Sequence, residues 1–115
     1  PFAFTVQRTI IDLPSGSAEA GLDLYDAACA TCHGAPHTGA GRMSTAVPVL
    51  PEESVAQHRE LGYSDRLIRL VFIEKVRHGP FLGYGGSMPP FSVETLTDPD
   101  LADVLEALGV TGDGL

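Results

Sequence analysis

A chain of 115 residues with a formal net charge of −8 and 43% apolar residues is read as one globular domain, because roughly 100 to 150 residues serve a single core and two cores would be starved. The acidic balance excludes a nucleic-acid binder, whose partner demands a basic footprint, and no apolar run approaches the roughly 20 residues of a membrane-spanning helix. The charge is uneven: Arg59, Arg66, Arg69, Lys75 and Arg77 lie in one stretch, whereas positions 78 to 115 hold six acids and no lysine or arginine. Such asymmetry suits the orientation of a charged partner before contact, and equally an acidic surface that stays soluble.

Residues 1 to 13, PFAFTVQRTIIDL, alternate apolar and smaller or polar positions and predict an extended arm. Pro14-Ser15-Gly16-Ser17 breaks it, so an arm over 1–16 is expected to precede a folded domain over 17–115. An apolar arm needs cover, either its own domain or a partner subunit, since an exposed apolar strand invites aggregation. Ser17 is the expected start of the first helix, whose Gly21, Leu24, Tyr25 and Ala28 recur at helical spacing and form one buried face. Residues 34 to 63 read as a long loop with a helical turn around Glu52 to Glu60. A loop of that length inside a compact domain is reasonable when it wraps a cofactor.

Ser64 predicts the cap of a helix over Asp65 to Arg77 with a broad apolar face of Leu67, Ile68, Leu70, Val71 and Phe72, stopped by Gly79 and Pro80. The last helix has the clearest signals. Thr97 stands as N-cap with Asp100 three residues on, Leu101, Val104, Leu105 and Leu108 make one stripe, and Gly109 closes it. The fold class is therefore all-α, with about three main helices and long loops.

The only two cysteines fall in Cys29-Ala30-Thr31-Cys32-His33, followed by Gly34. Two thiols on one helical turn can each add to a vinyl group of one haem, and the adjacent histidine is then delivered to the iron. With His33 as one axial ligand, the candidates for the other are His37, His58, His78, Met43 and Met88. Met88 stands out in Gly83-Tyr84-Gly85-Gly86-Ser87-Met88-Pro89-Pro90-Phe91. Glycines allow backbone to approach a flat ring and the two prolines stiffen the segment after the sulfur. A neutral thioether suits reduced iron and raises the potential of a His/Met haem. Met43 lies only ten residues past His33, too near to cross easily to the opposite haem face. His78, at a helix end, suits the helix dipole, and solvent exposure is the expectation for His37 and His58.

These residues resemble the class I, mono-haem c-type cytochromes over about residues 17 to 110. Gly21 and Tyr25 are similar to the Gly-x-x-x-aromatic pair of the family's first helix, Cys29 to Gly34 to its attachment motif, and Met88-Pro89 to its distal-ligand loop. Pro48-Val49-Leu50 resembles the family's Pro-x-Leu, with Pro51 as a competing proline. The resemblance implies one haem c bound covalently through Cys29 and Cys32, iron ligation by His33 and Met88, and a Pro48 carbonyl that orients His33. It further implies a cytochrome c fold in which the first and last helices cross. The family's aromatic residue in the last helix is missing here, and a single lysine leaves no lysine-rich docking face.

A closed His/Met sphere implies a one-electron carrier and not an enzyme, either freely diffusing or serving as the cytochrome subunit of a dehydrogenase or oxidase. The arm and the separated charges lean toward a dedicated redox partner. A chain that begins at Pro1 fits a matured, exported protein or a trimmed sequence, and the periplasm of a bacterium is the expected location. The competing readings are a five-coordinate, ligand-binding or catalytic haem, a dithiol redox pair, and a zinc site of Cys29, Cys32, His33 and His37.

Overall fold

The computed structural model describes residues 16–43, 45, 47–79 and 88–110. Among these the chain is all-α with no strand, built from five helices: α1 (Ala18–Ala28), α2 (Ala30–His33), α3 (Glu52–Glu60), α4 (Asp65–His78) and α5 (Asp98–Leu108). The extended arm expected over 1–16 lies outside the described residues except for Gly16.

α1, α4 and α5 each begin at a side-chain cap. The Ser17 hydroxyl accepts from the Ala20 N–H, and Ser64 accepts from Leu67 N–H. Thr97 and Asp100 form a reciprocal capping box, and Gly109 ends α5 in the left-handed region. The motif histidine is not on α1, because α1 ends at Ala28 and Cys29 starts the separate single turn α2. The helical turn expected near Glu52 is a nine-residue helix, and α4 runs one residue beyond Arg77.

α1 and α5 make the principal helix–helix crossing. It is possible because position 21 has no side chain: a Cβ there would overlap the Asp103 carbonyl. At the same crossing the Ser17 N–H donates to Asp103 Oδ1 at 2.6 Å. The core beside it combines Tyr25 with Leu101, Val104, Leu105 and Leu108 of α5, and with Ile68, Phe72 and Ile73 of α4. No aromatic residue of α5 takes part, and its contribution to this core is aliphatic.

The apolar face of α4 differs from the expected one. Ile68, Phe72 and Ile73 are buried, Leu70 and Val71 are half-buried, and Leu67 is exposed. The packed face centres on the Ile68/Phe72 pair, one turn apart, which puts Leu67 at the rim. That same face carries an acid inward: Glu74 is buried, with Oε2 lacking any hydrogen-bond partner and Oε1 3.7 Å from His78 Nε2. Burial pushes its carboxyl above the ordinary carboxylate range, the His78 charge opposing this in part.

A raised folded-state value means that Glu74 costs nothing where both states are protonated. As pH rises the unfolded chain ionises first, so stability is lost until the folded carboxyl also titrates. Glu74→Gln is therefore expected to unfold at a higher temperature than the parent at pH 7, with the gain shrinking toward pH 4. Thermal unfolding followed across that range checks it, and a gain independent of pH would contradict the assignment.

Candidate functional site

The single turn of α2 gathers three of the expected site residues. Cys29 N–H donates to Tyr25 O at 2.7 Å, and the N–H groups of Cys32 and His33 donate back to Cys29 O. Both cysteines are free thiols. Cys29 is half-buried and Cys32 exposed. Burial, reinforced by the neighbouring Cys32, raises the Cys29 thiol to about 11, so it stands protonated at neutral pH.

Gly34 lets the chain leave this turn. It has φ +76°, and a Cβ there would press at 2.6 to 2.7 Å on Gly39 O, Ala40 O and Arg42 N. The Gly34 carbonyl in turn accepts the buried Tyr25 hydroxyl at 2.8 Å, which fastens the end of the motif to α1. Burial, with Cys29 and Asp26 adding to it, holds the Tyr25 hydroxyl protonated up to about 12, so it remains a donor at all moderate pH.

His33 Nδ1 lies 3.0 Å from the Pro48 carbonyl. A carbonyl only accepts, so Nδ1 carries the proton and Nε2 presents its lone pair. Pro51 does not make this contact; its carbonyl accepts from Val55 N–H in α3. The Pro48 segment is itself held. The Val49 N–H donates to Glu53 Oε1 at 3.0 Å, Arg42 donates to Val47 O at 3.3 Å, and Arg42 lies 3.6 Å from Glu53. Further along, His37 N–H donates to Leu50 O and Met43 N–H to Cys32 O. The long loop is thus organised by hydrogen bonds that converge on the His33 partner.

Met88 belongs to a different stretch, set against the end of α4. It is half-buried, and its carbonyl comes so close to Gly79 that a Cβ there would stand 2.6 Å away. The glycines expected to line its loop, Gly83, Gly85 and Gly86, lie outside the described residues. Met43, the other methionine, is 70% exposed.

The remaining histidines divide. His37 is exposed and bonds Glu52 Oε2 at 2.7 Å. The expectation of exposure for His58 is overturned: only 4% of it is accessible. Its Nδ1 is 2.7 Å from Ser54 O one turn back, and its ring stands 5.4 Å from Tyr63. Residues 52–60 form a helix, so the inward side of that helix encloses what a loop would have left in water.

Among the described residues no three His, Cys, Asp or Glu side chains converge as a metal site, so Cys29, Cys32, His33 and His37 are not gathered into a zinc site. The dithiol reading needs a strand ahead of the motif, and a helix precedes it. Sequence reasoning missed Arg42, Glu53 and Arg77. Glu53, in the first turn of α3, could have been read as a backbone acceptor for the preceding loop. In the sequence Arg77 is one of five basic residues in one stretch, yet only 9% of its side chain is exposed, and it pairs with Asp98 at 2.6 Å. Arg59 likewise pairs with Asp65, so part of the basic stretch serves the fold.

The donor set fits a covalently held haem: two free thiols on one turn, and an imidazole whose Nδ1 is engaged while Nε2 is left for a metal. Residues 16–106 match the family described as "Cytochrome C oxidase, cbb3-type, subunit III". No curated protein and no solved structure matches the chain.

Proposed function

We propose, from the premise that this chain belongs to the family of cytochrome c oxidase, cbb3-type, subunit III, that it carries one haem c with His/Met ligation and passes single electrons to or from a dedicated redox partner. Membership makes the chain a c-type cytochrome and its work electron transfer through haem c. The finer reading is carried by the His33–Pro48 hydrogen bond, which sets the ring tautomer and leaves Nε2 for iron.

In this reading Cys29 and Cys32 would hold the haem through thioethers, and His33 and Met88 would ligate its iron. When bound, the haem supplies the one-electron couple of its iron. Pro48 fixes the plane of the His33 ring and, by accepting its Nδ1 proton, makes Nε2 a stronger donor. Arg42 and Glu53 keep the Pro48 stretch in register. Tyr25 ties the carbonyl after His33 to α1, which anchors the chain next to the imidazole.

The partner we favour is an oxidase or dehydrogenase subunit, with the folded domain over 17–115 facing the exported side of a bacterial membrane. No helix among the described residues is long and apolar enough to cross a membrane. The purified protein is expected to show a pyridine haemochrome of c type, a mass increased by one haem, and in the ferric state the weak red charge-transfer band of sulfur-to-iron ligation. Loss of all covalent haem in Cys29→Ala/Cys32→Ala completes the assignment; a haem removable by acid–acetone extraction refutes it.

A further inference from the structure

Arg77 is a nearly buried cation with three hydrogen-bond acceptors, and electron transfer through His33 and Met88 gives it no part. Its guanidinium donates through Nη1 to Phe91 O at 3.1 Å and to Leu96 O, and through Nη2 to Asp98 Oδ1 at 2.6 Å. Removing a cation from water is costly unless its donors are satisfied. Three acceptors from one stretch of chain satisfy this one, at the end of α4 where the helix dipole also favours positive charge.

The place of those acceptors in the chain matters more than their number. Residues 88 to 97 contain no helix, and the chain there rests on a few bonds. Phe91 N–H donates to Val76 O at 2.7 Å, and Thr95 and Leu96 N–H close a turn on Ser92 O. Arg77 holds both ends of that turn, Phe91 O before it and Leu96 O at its close, and so couples it to the start of α5. Between Phe91 and Met88 stand only Pro89 and Pro90, whose rings fix φ and which carry no N–H of their own to bond. Pinning Phe91 therefore narrows the directions from which Met88 can emerge. On the other side Gly79, at φ +66°, lets Met88 O sit where a Cβ would otherwise stand.

We propose that Arg77 is a positioning residue for the Met88 ligand: the last turn of α4 holds the Met88 segment, with the Arg77 fork as the side-chain clamp that keeps the thioether from leaving the iron. The inference rests on the reading of Met88 as ligand. Lysine cannot replace it fully, because one ammonium lacks the planar fork that reaches two carbonyls and a carboxylate together.

The test uses the ferric holoprotein, with cyanide as a probe that binds only when the methionine has left. Arg77→Gln is expected to bind cyanide faster by on the order of tenfold or more, the equivalent of one lost charge-assisted hydrogen bond. It should also lose the red charge-transfer band at lower pH, with Arg77→Lys intermediate. Asp98→Asn, at an exposed carboxylate, should move both readouts the same way by less, and decides the matter if Arg77→Gln does not fold. Leu108→Ala, a core truncation in α5, should lower the melting temperature and leave the cyanide rate at the parent value. Parent protein with no red band overturns the ligand assignment and the clamp with it. A parent with the band, and Arg77 variants that keep its pH midpoint and the cyanide rate, overturns the clamp alone. So does a Leu108→Ala rate raised as much as that of Arg77→Gln.

Discussion

Met88→Ala is expected to retain its covalent haem, lose the red charge-transfer band of the ferric protein, and show a reduction potential well below that of the parent. Axial ligands set haem potentials over a range of roughly 0.8 V, and the loss of a neutral thioether removes the ligand that favours reduced iron. Attachment should survive, because Cys29, the N-cap of α2, and Cys32 and His33 within it are held by hydrogen bonds involving Tyr25, Pro48 and Gly34. An optical spectrum and a potentiometric titration of parent and variant read this directly. Met43→Ala serves as the comparison, since that side chain is 70% exposed, and it should leave both readouts unchanged. If the band survives in Met88→Ala and vanishes in Met43→Ala, the ligand has been assigned to the wrong methionine.

Gly21→Ala is expected to be among the most destabilising single substitutions in the chain, although alanine is the better helix former. Replacing a mid-helix glycine with alanine gains about 1 kcal/mol from propensity alone. Against this stands the overlap of the new Cβ with the Asp103 carbonyl. The obstacle is backbone and not the tip of a flexible side chain, so relief requires α1 and α5 to move apart. That separation unpacks Tyr25 from Leu101 and Leu105 and breaks the bond from Ser17 N–H to Asp103. Overpacking of this kind costs about 1 to 3 kcal/mol, occasionally more, and the lost contacts add to it. A net loss of about 2 kcal/mol or more would lower the melting temperature by roughly 8 °C or more, a large share of the roughly 5 to 15 kcal/mol that stabilises a domain. Thermal unfolding of the holoprotein measures it. An unchanged or raised melting temperature would mean that the helices cross elsewhere.

The two substitutions illustrate different degrees of legibility. Gly21 was visible in the sequence as one position of an apolar stripe, and its resemblance to a family pair suggested a packing role, but nothing local identified Asp103 as the opposing backbone. Those residues are far apart in the chain, and only the crossing of α1 with α5 joins them. The caps were legible to the residue, because Ser17, Ser64, Thr97 and Gly109 act on backbone groups within a few positions of themselves. Exposure was less legible. His58 looked like a loop residue, and it is buried because 52–60 is a helix that turns it toward Tyr63. Leu67 looked like core, and it lies at the rim because the packed face of α4 is centred one position further on.

The candidate site divides along the same line. Cys29, Cys32 and His33 are close in sequence, so one turn of chain gathers them and the motif alone announces their chemistry. Pro48 reaches His33 only after the intervening loop has folded on Arg42, Glu53 and Leu50. Arg77 illustrates the extreme case: in the sequence it is one of five basic residues in a charged run, and in the fold it is a nearly buried clamp across residues 91 to 98.

By itself the sequence determined what is local: the side-chain caps of three helices, the all-α class, the attachment turn and the acidic balance. These depend on groups a few residues apart, whose geometry the backbone imposes. The tertiary structure alone decided which carbonyl takes the His33 proton, which acid is buried, where α1 meets α5, and what holds the Met88 segment. Each of those is a pairing of distant groups, set by the way whole helices pack and close upon one another.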